Sequence, residues 1–319
     1  MKAYFLIFKI VSTILLLYLV IANIDFSIAK SYLLSVVGIK AIIVSVICAL
    51  LQILLAGFRL VPISKMHGYI YDTLSGCRLC FMGTFFSQSF LSFLGGDAVR
   101  VWSLTRGVID ARVGTSIIFL DRVLGFVALI ISFLVVLPVL MQILDSNQLK
   151  YAMGLLAGAG LLAILLFFGL GWLRLRHTKI KLLNVILDLS SISRYLYISA
   201  KNSFYALAAS FGIHMLSVIS IYLSARIYHI DLSLFWCFVI VIPVTFLTML
   251  PISIAGWGVR ESAMMVGVGL IGLGPEYGLM LSITLGIALV ISSLPGLLIF
   301  LLERNSQKQV ASRMVGNVG

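Results

Sequence analysis

Long apolar stretches separated by short polar segments dominate the chain. A helix needs about 20 apolar residues to cross the hydrocarbon core of a bilayer. The stretches of that length predict membrane-spanning helices at Tyr4–Ala22, Ile39–Val61, Val123–Leu144, Ala152–Leu173, Phe204–Ile227, Leu232–Leu250 and Gly278–Leu302. The apolar residues are continuous and do not alternate with period two, which excludes a transmembrane β-barrel. The first stretch has no small-residue cleavage site, which favours a retained helix over a signal peptide.

Two shorter segments differ from these spans. Leu79–Leu94 contains several glycine and hydroxyl-bearing residues, and Glu261–Leu273 follows a stretch rich in proline and glycine. Non-helical backbone at membrane depth occurs only where protein or water covers it. Both segments therefore predict half-helices or re-entrant elements. The predicted helix breaks are Gly95, Gly96, Pro251, Gly256 and Gly258.

The composition agrees with a membrane protein. Of the 319 residues, 61% are hydrophobic and 11% are charged, and the mean hydropathy is +1.16. A soluble domain carries about 25% charged residues, so this chain has too few polar side chains to cover a folded surface in water. The sequence predicts one all-α, polytopic membrane domain over residues 1–303 and a short cytoplasmic tail over residues 304–319.

Basic residues are unevenly distributed. The 23 Lys and Arg residues outnumber the 11 Asp and Glu residues and give a net charge of +12. Most of them lie in three segments, 59–112, 174–201 and the C-terminal tail. Because basic residues concentrate on the cytoplasmic side of membrane proteins, this distribution predicts about eight crossings of the cytoplasmic (inner) membrane with both termini inside. It gives no reason to expect nucleic acid as a partner.

The basic segment 174–201 also repeats apolar residues at roughly helical spacing, including Ile180, Leu183 and Leu187. Two interpretations are open. An amphipathic helix in the cytoplasmic interface would place the apolar residues in lipid and the basic residues against head groups. An ordinary cytoplasmic loop would carry the same charge under the positive-inside rule.

Two segments about half the chain apart resemble each other. Leu94–Arg100 and Ile254–Arg260 share Gly, Val and Arg at matching positions. Paired helix interruptions in two halves of a transporter mark substrate sites, because a broken helix offers N–H groups and a positive dipole end to an anion. An adjacent Arg adds a bidentate phosphate donor. The pair predicts an anionic headgroup site and an internal two-fold repeat, with chance similarity of glycine-rich turns as the alternative.

Charged residues near these segments are the candidate headgroup ligands. Asp97 either caps a helix N-terminus or orients Arg100. Asp121 and Arg122, predicted at the inner membrane boundary, are either an interfacial pair or have one member turned into the bundle. In the bundle, that member would meet Arg100 or the Arg260–Glu261 dipeptide.

Charged or titratable residues also occur within or beside the apolar segments themselves. A charge at the membrane centre costs about 2.5–3.5 kcal/mol on insertion scales, so Arg260 and Glu261 are either a functional pair at depth or a pair held at the surface. His214, inside the span Phe204–Ile227, is either a proton relay or headgroup contact, or a packing hydrogen-bonder.

Catalytic signatures are missing from the sequence. It contains no GxSxG, HExxH or P-loop motif. Cys77 and Cys80 form a single CxxC with no second pair, which favours thiols that pack between helices over a metal or redox site. We therefore expect no enzymatic activity, no cofactor and no metal.

Three motifs together resemble a known family. Phe93–Arg100, Phe119–Gly125 and Leu250–Glu261 are similar, in order and spacing, to successive signatures of the lysylphosphatidylglycerol synthase transmembrane (flippase-like) family. The resemblance covers about residues 5–303. It implies family positions at Gly96, Asp97, Arg100, Asp121, Arg122, Gly256, Gly258, Arg260 and Glu261. In bifunctional members, the membrane part is implied to flip an aminoacylated lipid made by a fused transferase; only Arg304–Gly319 follow here, so we expect no lipid aminoacylation.

Two functions are consistent with these patterns. The leading hypothesis is a lipid flippase of the bacterial inner membrane that moves an anionic phospholipid or an isoprenoid-linked lipid between leaflets. The alternative is a non-transporting accessory protein for an envelope glycolipid or polysaccharide glycosyltransferase. Membrane lipids are the expected partners in both cases, and the sequence does not indicate an oligomeric state.

Overall fold

Helices and short turns make up the described part of the protein. The computed structural model describes residues 33, 35–88, 92–105, 109–172, 192–249, 253 and 255–303, without the side chains of residues 92–94, 170–172, 197 and 198. These ranges contain no β-strand and the helices α1 (Val36–Met66), α2 (Thr73–Gln88), α3 (Ser92–Thr105), α4 (Ala111–Ile143), α5 (Asn147–Trp172), α6 (Arg194–Ile198), α7 (Ala200–Ile227), α8 (Leu234–Met249), α9 (Val259–Gly269) and α10 (Pro275–Ser293). After a turn at Leu294, residues 295–303 continue α10 as helix. The all-α prediction is confirmed.

Five helices among the described residues are long and apolar enough to cross a membrane, so the protein is a multi-pass membrane protein. They are Val36–Met66, Ala111–Ile143, Asn147–Gly169, Ala200–Ile227 and Pro275–Glu303. Each contains most of one predicted span. The predicted span Tyr4–Ala22 lies outside the described residues. The predicted span Leu232–Leu250 is a shorter apolar helix of 16 residues, α8.

Helix α4 begins before the apolar stretch that predicted its span. The helix begins at Ala111, where the carboxylate of Asp110 accepts a hydrogen bond of 2.7 Å from the backbone N–H of Arg112. At 1.5 Å per residue, Asp121 and Arg122 lie about 15 Å along the helix. They therefore lie well inside the helix and not at its start.

The polar segment 79–94 belongs to a hairpin of two short helices, α2 and α3. Contacts between Gly83 and Gly96, and between Cys80 and Arg100, show that the two helices are antiparallel. The prediction that Gly95 and Gly96 break the helix is wrong, because α3 continues through both. A Cβ on Gly96 would collide with the Ser87 hydroxyl and the Gly83 carbonyl oxygen, so this glycine permits close helix packing.

The second glycine-rich segment has a different backbone. Gly256 and Gly258 have φ values of +79° and +84° in the turn before α9, a conformation that glycine adopts without steric cost. Pro251 lies outside the described residues. Since Gly95 and Gly96 are helical, the segments Leu94–Arg100 and Ile254–Arg260 do not share a local structure, and the structure gives the predicted repeat no support.

The packing of α1 against α7 organises the bundle. This is the most extensive helix interface in the described chain, and the two helices are antiparallel. The end of α1 meets the starts of α4 and α6, because His67 is 2.7 Å from the Ser116 hydroxyl and stacks on Tyr195. Lys65, Arg112 and Lys201 therefore lie at one end of the bundle. The predicted amphipathic segment 174–201 falls mostly, and the tail 304–319 entirely, outside the described residues.

Candidate functional site

Five charged side chains from three helices form a continuous chain of contacts, the arginine–aspartate cluster. Its members are Arg59 of α1, Asp97 and Arg100 of α3, and Asp121 and Arg122 of α4. The predicted candidates Asp97, Arg100, Asp121 and Arg122 thus lie together. At 1.5 Å per residue, Arg59 lies about 10 Å from the end of α1, so the cluster lies inside the helix bundle and not at the tip of α1.

Asp121 is the centre of the cluster. Its carboxylate accepts a hydrogen bond of 2.6 Å from Nε of Arg59 and one of 2.8 Å from an Nη of Arg100. The side chain of Asp121 is 1% exposed, and those of both arginines are also buried. Arg59 also donates to the hydroxyl of Ser210 on α7 at 3.0 Å. The inward-turned alternative for Asp121 is therefore the one the structure adopts, with Arg100 as a partner.

Asp97 forms the second centre. Its carboxylate accepts three hydrogen bonds of 2.8–3.1 Å from Arg122 and a longer one of 3.4 Å from Arg100. Asp97 lies within α3, so it does not cap that helix. Side-chain exposure increases from 1% at Asp121 to 18% at Asp97 and 31% at Arg122. The cluster is therefore shielded from the surroundings at Asp121 and accessible at Arg122.

Sequence reasoning assigned Arg59 only to the basic segments that set topology. Its partners are 62 and 151 residues away in the chain, so no local motif contains them. One local signal was present. Arg59 lies between apolar residues at the end of a predicted span, and a charge in such a position is costly unless it is paired.

One buried donor of the cluster has no partner in the described part of the chain. The five members are three guanidinium groups and two carboxylates, and Arg122 has a further interaction besides those with Asp97. Nε of Arg100 is buried and has no hydrogen-bond partner within the described ranges. Besides its bonds to Asp121 and Asp97, this guanidinium makes one weak contact, 3.7 Å from an Nη to Sγ of Cys80. A buried, charged donor without a partner is costly, so this position favours an anion.

Arg260 and Glu261 form a separate, self-contained site. One Glu261 oxygen accepts from Nη2 of Arg260 at 2.9 Å and from the Ser282 hydroxyl at 3.0 Å. The other accepts from the backbone N–H of Gly258 at 2.6 Å, which caps the start of α9. Arg260 also lies 4.9 Å from the centroid of the Trp257 ring. Both charged residues are almost fully buried, and the pair is neutral.

The contacts of Ser282 lead to a test of this pair. We expect Ser282→Ala to lower the free energy of unfolding by about 1–3 kcal/mol, because two buried hydrogen bonds are lost: the one that Ser282 donates to Glu261 and the one that it accepts from Nε of Arg260. Denaturant unfolding in detergent measures this change. An unfolding free energy equal to that of the wild type would show that Ser282 does not hold the pair in place.

The sequence left open whether the Arg260–Glu261 pair contacts the arginine–aspartate cluster, and what His214 contacts. In the described part of the chain, no hydrogen bond or ion pair joins the Arg260–Glu261 pair to the arginine–aspartate cluster. A ring nitrogen of His214 is 3.1 Å from the carbonyl oxygen of Gly125 on α4. This contact between two helices fits the interpretation of His214 as a residue that packs the bundle through a hydrogen bond. Among the described residues, no three His, Cys, Asp or Glu side chains lie close enough to hold a metal ion.

Comparisons with known proteins agree with the motifs. A family model described as the lysylphosphatidylglycerol synthase TM region matches residues 6–296, and these residues include both charged sites. Searches of curated proteins and of solved structures gave no significant match.

Proposed function

Because the chain belongs to the lysylphosphatidylglycerol synthase transmembrane family, we propose that it moves an anionic lipid between the leaflets of the bacterial cytoplasmic membrane. The lipid is an anionic phospholipid or an isoprenoid-linked phosphate, and its headgroup binds at the arginine–aspartate cluster. The observation that carries this proposal is the unmet donor of Arg100, a buried guanidinium beside the buried carboxylate of Asp121.

The chemistry of the cluster suits a phosphate group. A guanidinium donates to two phosphate oxygens at once, and a hydrogen bond to a charged group is stronger than a neutral one. The low dielectric of the bundle strengthens this attraction further. Asp97 and Asp121 hold the arginines in place, and their negative charges offset part of the positive charge of the guanidinium groups. The anion is thus bound without being held too tightly to leave.

The open side of the cluster gives the headgroup its entrance. Arg122 is the most exposed of the five side chains, so an anion meets it before it reaches Arg100. The basic residues Lys65, Arg112 and Lys201 lie at the same end of the bundle as the cluster. We assign this end to the cytoplasm by the positive-inside rule, with both termini cytoplasmic. Anionic lipids of the inner leaflet then gather beside the entrance.

We expect Arg100→Lys to slow lipid translocation by roughly 10- to 150-fold. Lysine keeps the positive charge but lacks Nε and the planar fork, and a hydrogen bond to a charged group contributes about 1.5–3 kcal/mol. The measurement follows fluorescent phosphatidylglycerol in proteoliposomes, where a membrane-impermeant quencher reports how much label remains in the outer leaflet. The unfolding transition of the variant confirms that it is folded.

Arg112→Lys is the matched control, because Arg112 is an exposed arginine at the start of α4 and should transport at the wild-type rate. An Arg100→Lys variant as active as wild type would remove the cluster from the headgroup site. A wild-type protein that moves no lipid, while Arg100→Ala still abolishes its cellular phenotype, would favour the accessory role beside an envelope glycosyltransferase.

A further inference from the structure

Three hydrogen-bonded pairs of side chains connect α1 and α7; we call them the polar ladder. The Ser45 and Ser224 hydroxyls are 2.9 Å apart, and Ser217 donates to the side-chain oxygen of Gln52 at 3.3 Å. The third pair is Arg59 with Ser210, at 3.0 Å. The ladder therefore ends at the arginine–aspartate cluster.

The ladder is regular on both helices. Successive pairs are seven residues apart along α1 and seven residues apart, in the opposite direction, along α7. Seven residues of helix rise about 10.5 Å, so the three pairs cover about 21 Å. This is about two thirds of the hydrocarbon thickness of a bilayer. A line of polar groups thus extends from the cluster towards the opposite membrane surface.

Buried groups beside the ladder lack hydrogen bonds. Neither the amide nitrogen of Gln52 nor the hydroxyl of Ser220 has a partner among the residues that the structure describes. Ser220 is 0% exposed and lies between Ser217 and Ser224 on α7. Arg100, at the end of the same line, has its unmet Nε. All three groups carry hydrogens to donate. A ladder that served only to join two helices would have no use for unmet donors.

The middle of the ladder is close to the lipid. Gln52 and Ser217 are half-buried, and their neighbours Leu51 and Ile219 are 46% and 37% exposed. A headgroup at this pair would lie between the helices while its acyl chains remained in the bilayer. Interhelical hydrogen bonds in membranes contribute little net stability, so the pairs exchange their partners for a ligand at low cost.

We infer that the α1–α7 interface is the path along which the headgroup crosses the membrane. The headgroup passes from the arginine–aspartate cluster to Gln52 and Ser220, and then to the Ser45–Ser224 pair. Because the unmet groups are donors, the path takes headgroups rich in acceptor oxygens, such as phosphodiesters. This inference rests on the proposed lipid translocation and adds its route.

The first test uses Gln52→Leu and Ser220→Ala in the full chain. We expect each variant to lower the rate of fluorescent phosphatidylglycerol translocation at least tenfold. Binding of the same lipid in detergent should change less than twofold, because the cluster is intact. The matched controls are Gln142→Leu, at an exposed glutamine of α4, and Ser132→Ala, whose hydroxyl bonds to the Ala128 carbonyl of its own helix. Both controls should keep the wild-type rate.

A second test does not depend on the stability of those variants. Cysteines in place of Ser45 and Ser224, oxidised to a disulfide, would lock α1 to α7. We expect oxidation to stop translocation and reduction to restore it, while the two variants that carry only one of the new cysteines, and the wild type with its four native cysteines, respond to neither treatment. Transport at the wild-type rate in the locked protein, or in both Gln52→Leu and Ser220→Ala, overturns the route but leaves the proposed function standing. A wild-type protein that moves no lipid overturns both.

Discussion

Asp121→Asn is expected to destabilise the protein by about 3–5 kcal/mol, the cost of leaving buried charge without its partner. Asp121 is 1% exposed and accepts from both Arg59 and Arg100. Asparagine has nearly the same shape, but it removes the negative charge and places an amide N–H₂ against a guanidinium. Denaturant unfolding in detergent micelles measures the loss, and lipid translocation should fall with it because Arg100 loses its position.

Asp110→Asn is the control for this substitution. Asp110 caps the start of the same helix and is exposed, and asparagine caps a helix about as well as aspartate. Its unfolding should therefore change by less than about 0.5 kcal/mol. We also expect Asp121→Asn combined with Arg59→Gln to cost less than the sum of the two single changes, because the pair interacts directly. An Asp121→Asn variant with wild-type stability would show that the carboxylate does not hold the two arginines.

Gly96→Ala is expected to disrupt the α2–α3 hairpin, although it adds a single methyl group. The new Cβ would collide with the backbone carbonyl of Gly83, which no side-chain rotation can relieve, and with the Ser87 hydroxyl. Overpacking of this kind costs about 1–3 kcal/mol. Arg100 lies one helical turn later in α3 and packs on Gly83, so separating α2 from α3 also moves Arg100. Unfolding and translocation measurements both check the result.

Gly158→Ala separates this effect from helix propensity. Gly158 is inside α5, and its added Cβ would have no atom of the described chain within 4 Å. An Ala in a helix interior is favoured over Gly by about 0.5–1 kcal/mol, so this variant should be as stable as wild type or slightly more stable. Equal behaviour of the two variants would mean that α2 and α3 do not approach each other closely at Gly96.

The glycine segments show where the sequence could be interpreted and where it could not. The same local pattern, small residues followed by Val and Arg, occurs at Gly96 and at Gly256. It predicted a helix break in both places, and only the second is a turn with positive φ. Glycine permits either a turn or a close helix contact. The neighbouring helix decides between them, and Gly83 is not part of the local pattern.

The candidate residues show the same division. The sequence pointed to Asp97, Arg100, Asp121 and Arg122 because charges beside apolar segments are rare and costly. It could not identify Arg59 or Ser210 as members of the same cluster, since these residues lie on helices distant in sequence. It also could not show that Arg260 and Glu261 are held by hydrogen bonds while Nε of Arg100 has none within the described residues, because the available partners come from neighbouring helices.

The sequence by itself determined that the chain spans a membrane, which segments are long enough to do so, and to which family it belongs. A bilayer requires each helix to pair its own backbone N–H and C=O groups and to present about 20 apolar residues. Both requirements depend on the residues of one segment alone, so they can be recognised in the sequence. Only the tertiary structure decided which helices face each other. The heptad spacing of Ser45, Gln52 and Arg59 acquires meaning only opposite Ser224, Ser217 and Ser210, because a hydrogen bond needs both partners within about 3 Å of each other.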